Sequence, residues 1–211
     1  MLSDIHLEFK DSGGRVAACS ALDGGCGAGK TLLIDLIAMS WAGSVRKRGM
    51  PWTLHAEMAR VDFEFGGEVA AVHIRGDRVD GHPLLAAKFD KERDREMVLK
   101  YDSSRISGMR DWTNTESSNT ESGIAATYPI LADLHFRDVR DSVILIDDFD
   151  LALSQDDTFS FFRYLQRHYI GRNNQLILTG HSLPKIGAAL FHLPDGSDPI
   201  EKSKQLIKHK T

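Results

Sequence analysis

Apolar residues fall along this chain in short runs of changing period, broken by clusters rich in glycine, serine and asparagine. Ile5 to Phe9 and Val16 to Leu22 read as two strands joined by Asp11-Ser12-Gly13-Gly14, a combination that favours a tight turn. From Lys30 to Ala42 the residues Leu32, Leu33, Ile34, Leu36, Ile37 and Met39 give the largely apolar character of a buried helix. Arg60 to Phe65 and Glu68 to Arg75 alternate apolar with polar residues about Gly66-Gly67, which predicts a β-hairpin. Met97 to Tyr101 offers a third strand to follow it. Between Asp102 and Ser122 periodicity is lost among Ser, Asn, Thr, Asp and Gly, and a loop is expected there. Val143 to Ile146 and Gln175 to Thr179 are short apolar runs, the pattern of parallel strands covered on both faces, and Thr158 to Tyr169 reads as the crossover helix between them. No internal repeat is visible. The order of elements predicts an α/β fold with a mostly parallel sheet flanked by helices.

Composition narrows the class. At 211 residues, 42% hydrophobic and 27% charged, the chain suits one soluble domain with its own core. No run of about 18 apolar residues exists, and the charged start MLSDIHLEFK lacks a secretory pattern, so a cytoplasmic protein without a membrane contact is expected. Cys19 and Cys26 lack metal-type spacing and read as reduced thiols. A net charge of −4 argues against a broad nucleic-acid surface; the basic clusters Arg46-Lys47-Arg48 and Lys202 to Lys210 read as loop and tail, with a DNA contact as the alternative.

The strongest chemical signal is Gly24-Gly25-Cys26-Gly27-Ala28-Gly29-Lys30-Thr31, a full match to G-x-x-x-x-G-K-[ST] between a strand and an apolar helix. Glycines let the backbone close around phosphate with its N–H groups inward, and the following helix turns its positive end to the same anion. Lys30 would neutralise the β and γ phosphates of a nucleotide, and the Thr31 hydroxyl would hold Mg²⁺. A carboxylate for the metal is supplied by Val143-Ile144-Leu145-Ile146-Asp147-Asp148 at the end of a buried strand, where ligands of open parallel sheets bind. Asp147 would join the Mg²⁺ shell and Asp148 would orient or deprotonate the attacking water; the bland alternative is that both acids cap the turn into Phe149. Gln175-Leu176-Ile177-Leu178-Thr179-Gly180-His181-Ser182 is a second buried strand ending in polar residues, and its histidine would reach the γ-phosphate or its water.

Together the three segments GGCGAGKT, VILIDDFDLAL and LILTGHS resemble, in content and order, the ABC-type ATPases and their non-transporter branch of SMC, RecF and OLD-like proteins. The resemblance spans the whole chain, 1–211, as a single head domain. It implies a P-loop NTPase fold with an antiparallel β layer, here about residues 57–101, and a signature region at about 102–137. It also implies ATP with Mg²⁺ as ligands, ATP rather than GTP resting on the resemblance alone. In such heads a signature segment at the start of a helix contacts nucleotide on a second subunit, and Glu121-Ser122-Gly123 stands at that position, so Ser122 and Gly123 would touch ATP across a homodimer. A serine-rich loop is the alternative, because Pro129 falls where it would break a helix.

Three departures from the family pattern bear on mechanism. Asp148 stands where a glutamate is usual, no glutamine occurs between Thr31 and Ser154 to serve as the Q-loop residue, and Cys26 replaces a common asparagine. The resemblance therefore implies an ATPase of slow turnover, whose nucleotide-dependent dimerisation acts on an effector such as a nuclease or toxin of a prokaryotic defence system, or on nucleic acid. The other readings are a nucleotide-gated scaffold without hydrolysis and the energising subunit of a membrane transporter.

Overall fold

The computed structural model describes residues 7–24, 28–42, 58–65, 68–75, 78–81, 98–102, 121–150, 153–180, 183 and 189–192. In chain order they form β1 (Cys19–Asp23), α1 (Lys30–Ala42), β2 (Ala59–Phe65), β3 (Glu68–Arg75), β4 (Arg78–Gly81) and β5 (Val98–Asp102). There follow α2 (Glu121–Phe136), β6 (Val143–Asp147), α3 (Gln155–His168), a 3₁₀ turn (Ile170–Arg172), β7 (Gln175–Thr179) and β8 (Ala189–His192). A five-stranded sheet of order β5-β6-β7-β1-β8 is parallel at every pairing, and β2-β3-β4 form a separate antiparallel sheet.

The parallel strands are apolar at consecutive positions because both faces are covered. Ile144, Ile146, Leu176 and Leu178 point to the side closed by α2 and α3, where they join Ile130, Leu134, Phe161, Phe162 and Leu165. Leu145 and Ile177, one residue out of phase, meet Leu22, Ile34 and Ile37 on the side of α1. A fully buried Leu or Ile contributes roughly 1.5–3 kcal/mol, so these few strands anchor the domain. Helix α1 is apolar around most of its circumference for a related reason: Ile34 and Ile37 face the parallel sheet, while Leu36 packs with Ile74 and Trp41 meets Phe63 edge-on at 5.3 Å beneath the antiparallel sheet. The helix is a filling between two sheets. Burial also pushes the Cys19 thiol up to about 12, leaving it an inert packing group.

Four local expectations are changed by the structure. The segment read as Met97 to Tyr101, a third strand after the hairpin, forms β5 of the parallel sheet instead, at Val98–Asp102 beside β6. It is pinned from both faces: Lys100 pairs with Asp35 of α1, and Tyr101 Oη donates to Asp133 of α2 at 2.7 Å. Burial raises the Asp133 carboxyl, but hydrogen bonds from Arg137 and Tyr101 outweigh it and hold the group below its ordinary value. The third antiparallel strand is β4, paired with β3 from Val72↔Gly81 to Arg75↔Arg78. Second, α2 runs straight through Pro129. Pro129 is exposed while Ile130 and Leu134 are buried, so the proline lies on the side of the helix away from the core and its ring displaces none of the packing there. Third, α3 begins at Gln155 rather than Thr158, since the Ser154 hydroxyl caps it by accepting the Asp157 N–H at 3.2 Å. Fourth, the first pair of strands is reduced to a Lys10↔Val16 bridge, and the strand itself starts at Cys19; Ile5, Gly66-Gly67 and the loop segment 103–120 lie outside the described residues.

At the end of the sheet where β6 and β7 begin, Asn174 is buried and its amide is fully used. It accepts the Ser142 N–H at 3.0 Å and donates to the carbonyls of Val139 at 3.1 Å and Tyr169 at 2.9 Å. Removing it strips the Ser142 N–H and the Val139 carbonyl of their partner, while the Tyr169 carbonyl keeps the Arg172 N–H at 3.1 Å, so Asn174→Ala is expected to lower stability by about 2 kcal/mol. Urea unfolding followed by tryptophan fluorescence reads this directly, and an unchanged midpoint would show that water replaces the amide.

Candidate functional site

The carboxyl ends of the parallel strands lie in one row. Register pairs Asp102 with Asp147 between β5 and β6, and Leu22 with Thr179 between β1 and β7; Asp147 and Thr179 follow the pair Ile146↔Leu178 on adjacent strands. Strand β7 therefore stands between the strand that leads into the glycine-rich loop and the strand that ends in the acids. With neighbouring strands about 4.8 Å apart, the backbones of β1 and β6 are separated by roughly 10 Å.

On the β1 side, Gly24 and Gly29 both take positive φ, 155° and 91°, a region other residues enter only with strain. Gly25, Cys26 and Gly27 lie outside the described residues. Ala28 is buried, and Leu33 N–H bonds back to the Gly29 carbonyl at 3.0 Å as α1 starts. Lys30, the first residue of α1, is only 6% exposed, and its ammonium donates to the Gly24 carbonyl at 2.5 Å. A lysine is seldom this deeply buried, and here it folds back on the loop rather than out to solvent. Thr31 is exposed in the same first turn. That turn holds no acidic residue, whereas α3 carries Ser154, Asp156 and Asp157 at its start. The N–H groups and positive end of α1 are thus free of a neutralising carboxylate from their own helix.

On the β6 side, Asp147 is 1% exposed and accepts the Thr179 hydroxyl at 2.5 Å. Asp148 is half-buried, and its backbone enters the left-handed region at φ 50° with its N–H donated to the same Thr179 oxygen at 2.9 Å. Asp and Asn tolerate this conformation better than longer side chains do. A glutamate here would carry a backbone cost that aspartate largely avoids, which gives a local reason for the departure noted in the sequence. The next residue, Phe149, bonds through its N–H to the Thr179 carbonyl at 2.8 Å and stacks on Phe161 at 5.0 Å, locking the turn to the core.

Thus the sheet brings Gly24, Lys30 and Thr31 to the same edge as Asp147 and Asp148. Ser122 and Gly123 lie in the first turn of α2, and nothing is described of their side chains. His181 falls outside the described residues. Thr179 is the residue to which the sequence reading gave no role; its signal was a polar side chain closing an otherwise apolar strand. Among the described residues no cluster of three or more His, Cys, Asp or Glu could hold a metal by itself, and no helix is long and apolar enough to cross a membrane.

No protein-family model matches the sequence, and no curated protein matches it. Among solved structures, the chain is similar to cbiO1 from Clostridium perfringens, described as part of the ABC transporter complex cbiONQ, with a TM-score of 0.46 and 11% identity over 92% of this chain and 83% of that one. It is also similar to a DNA replication initiation factor, with a TM-score of 0.37 and 13% identity over 92% of this chain and 46% of the other. A third is AMPPCP-bound DnaA from Aquifex aeolicus, with a TM-score of 0.35 and 13% identity over 92% of this chain and 45% of that chain. The chain spans less than half the length of the last two.

Proposed function

We propose that the protein binds ATP with Mg²⁺ at the carboxyl edge of its parallel sheet and hydrolyses it slowly. The observation that carries the reading is the buried Lys30 ammonium, held against the Gly24 carbonyl at a helix start without acids, on the same sheet edge as the buried Asp147. A phosphate chain entering there would meet backbone N–H groups, the α1 dipole and a cation brought in without much solvent to displace. Mg²⁺ takes oxygen ligands and retains water, so one carboxylate, one hydroxyl and the phosphates suffice, and the oxygens of Asp147 and Thr31 suit it. When bound, the ion would neutralise phosphate charge. Asp148, mounted on the turn just past Asp147, would orient the attacking water, with His181 as its partner near the γ-phosphate.

The ABC-type resemblance extends this to a dimer in which Ser122 and Gly123, at the start of α2, close over nucleotide held by a second copy. Closure would be the signal passed to an effector protein or to nucleic acid. The test is sedimentation velocity with and without ATP and Mg²⁺. The expected result is a monomer that becomes a dimer with nucleotide, and a Ser122→Arg variant that binds nucleotide yet stays monomeric. A mass that ignores nucleotide in both proteins would remove the dimer, and a Ser122→Arg protein that still dimerises would remove Ser122 from the interface.

A further inference from the structure

We infer that Thr179 is a positioning residue that couples the Asp147 carboxylate to the placement of Asp148; this rests on the nucleotide reading above. A hydroxyl has one proton, and here its direction is assigned by its neighbours. The oxygen accepts the Asp148 N–H at 2.9 Å, so the proton goes to Asp147 Oδ1 at 2.5 Å. The result is a one-way chain, amide to hydroxyl to carboxylate, in which each bond polarises the next. Thr179 is 0% exposed and Asp147 1%, so water does not compete for either bond. The branched Thr side chain is stiff about χ1, which holds the hydroxyl on its line.

The far end of this chain is not an ordinary amide. It belongs to Asp148, whose φ of 50° is the turn on which its carboxylate is mounted. A cation drawing on the Asp147 carboxylate changes how strongly that oxygen accepts from Thr179, and the change reaches the Asp148 N–H through a single oxygen. Metal occupancy and the aim of Asp148 are then linked across two adjacent strand ends through the Thr179 hydroxyl.

The experiment combines amide hydrogen exchange with nucleotide binding on Thr179→Val and Thr179→Ser. Valine keeps the shape and loses the hydroxyl. In the ligand-free Val variant the Asp148 amide is expected to exchange about tenfold faster, the worth of one hydrogen bond. The Phe149 amide, bonded to the Thr179 backbone carbonyl, should be unchanged and so reports an intact fold. Binding of a fluorescent ATP analogue in EDTA should match wild type, while the Mg²⁺ concentration for half-maximal effect rises about tenfold and kcat falls about tenfold at constant KM, as for loss of a partner behind a metal ligand. Serine should restore all three. Unchanged Asp148 exchange and Mg²⁺ dependence in the Val variant overturn the coupling but leave nucleotide binding standing, as does a Ser variant as impaired as Val with Phe149 still protected. A wild type that binds no nucleotide removes both readings. If the Val variant fails to fold, wild type decides: Asp148 exchange should change on adding Mg²⁺ with the analogue relative to Phe149, and no change overturns the coupling.

Discussion

Lys30→Ala is expected to abolish nucleotide binding while leaving the folded protein in place. Its ammonium is the only side-chain cation that the described loop turns inward, and it also closes the loop through the Gly24 carbonyl at 2.5 Å. Alanine is a good helix former at the start of α1, so the nucleotide-free protein should stay folded, with a loss of about 1–2 kcal/mol for the buried Gly24 carbonyl left without its donor. The contrast comes with ligand. At about 100 times its dissociation constant a ligand adds about 2.7 kcal/mol of stability, which for a domain of this size raises Tm by roughly 5–10 °C. Wild type should show that shift with Mg²⁺ and ATP, and Lys30→Ala should show none. An equal shift in both proteins would move the site away from this loop.

The second large effect is on turnover, and the backbone dictates which substitution reads it. Asp148 sits at φ 50°, so alanine would add strain on the order of 1–2 kcal/mol and blur the loss of the carboxylate. Asparagine tolerates the same conformation and removes only the charge. Asp148→Asn should therefore keep nucleotide binding and lower single-turnover phosphate release by on the order of 100-fold, the usual worth of a positioned base. Release at the wild-type rate would take Asp148 out of the chemistry. No release from wild type itself would favour the nucleotide-gated scaffold, in which binding alone is the output.

Most of the fold was legible because its signals are local. The alternation of Arg60 to Phe65 against Glu68 to Arg75 predicts a pairing that the structure has in full, from Ala59↔Ile74 to Phe65↔Glu68. The continuous apolar runs of β6 and β7 predict strands covered on both sides, and they are. What failed depended on distant partners. Nothing inside Val98–Asp102 distinguishes a third hairpin strand from a parallel neighbour of β6; its partners, β6 along the backbone and Asp35 and Asp133 at the side chains, lie far away in the chain. Pro129 was misread for a similar reason, since its cost depends on which face of α2 meets water, and that is set by what Ile130 and Leu134 pack against.

At the candidate site the division follows the same line. The sequence by itself determined the chemistry on offer: a glycine-rich loop ending in Lys30 and Thr31, and two acids closing an apolar strand, since phosphate and metal chemistry require those residue types at those spacings. Only the tertiary structure decided that β7 lies between those two strands, because strand order follows from packing across the sheet and leaves no mark within a strand. That order puts the Thr179 hydroxyl against Asp147 and the Asp148 amide. A hydrogen bond between residues more than thirty positions apart is invisible in a linear pattern, and its energy exists only once both ends are removed from water.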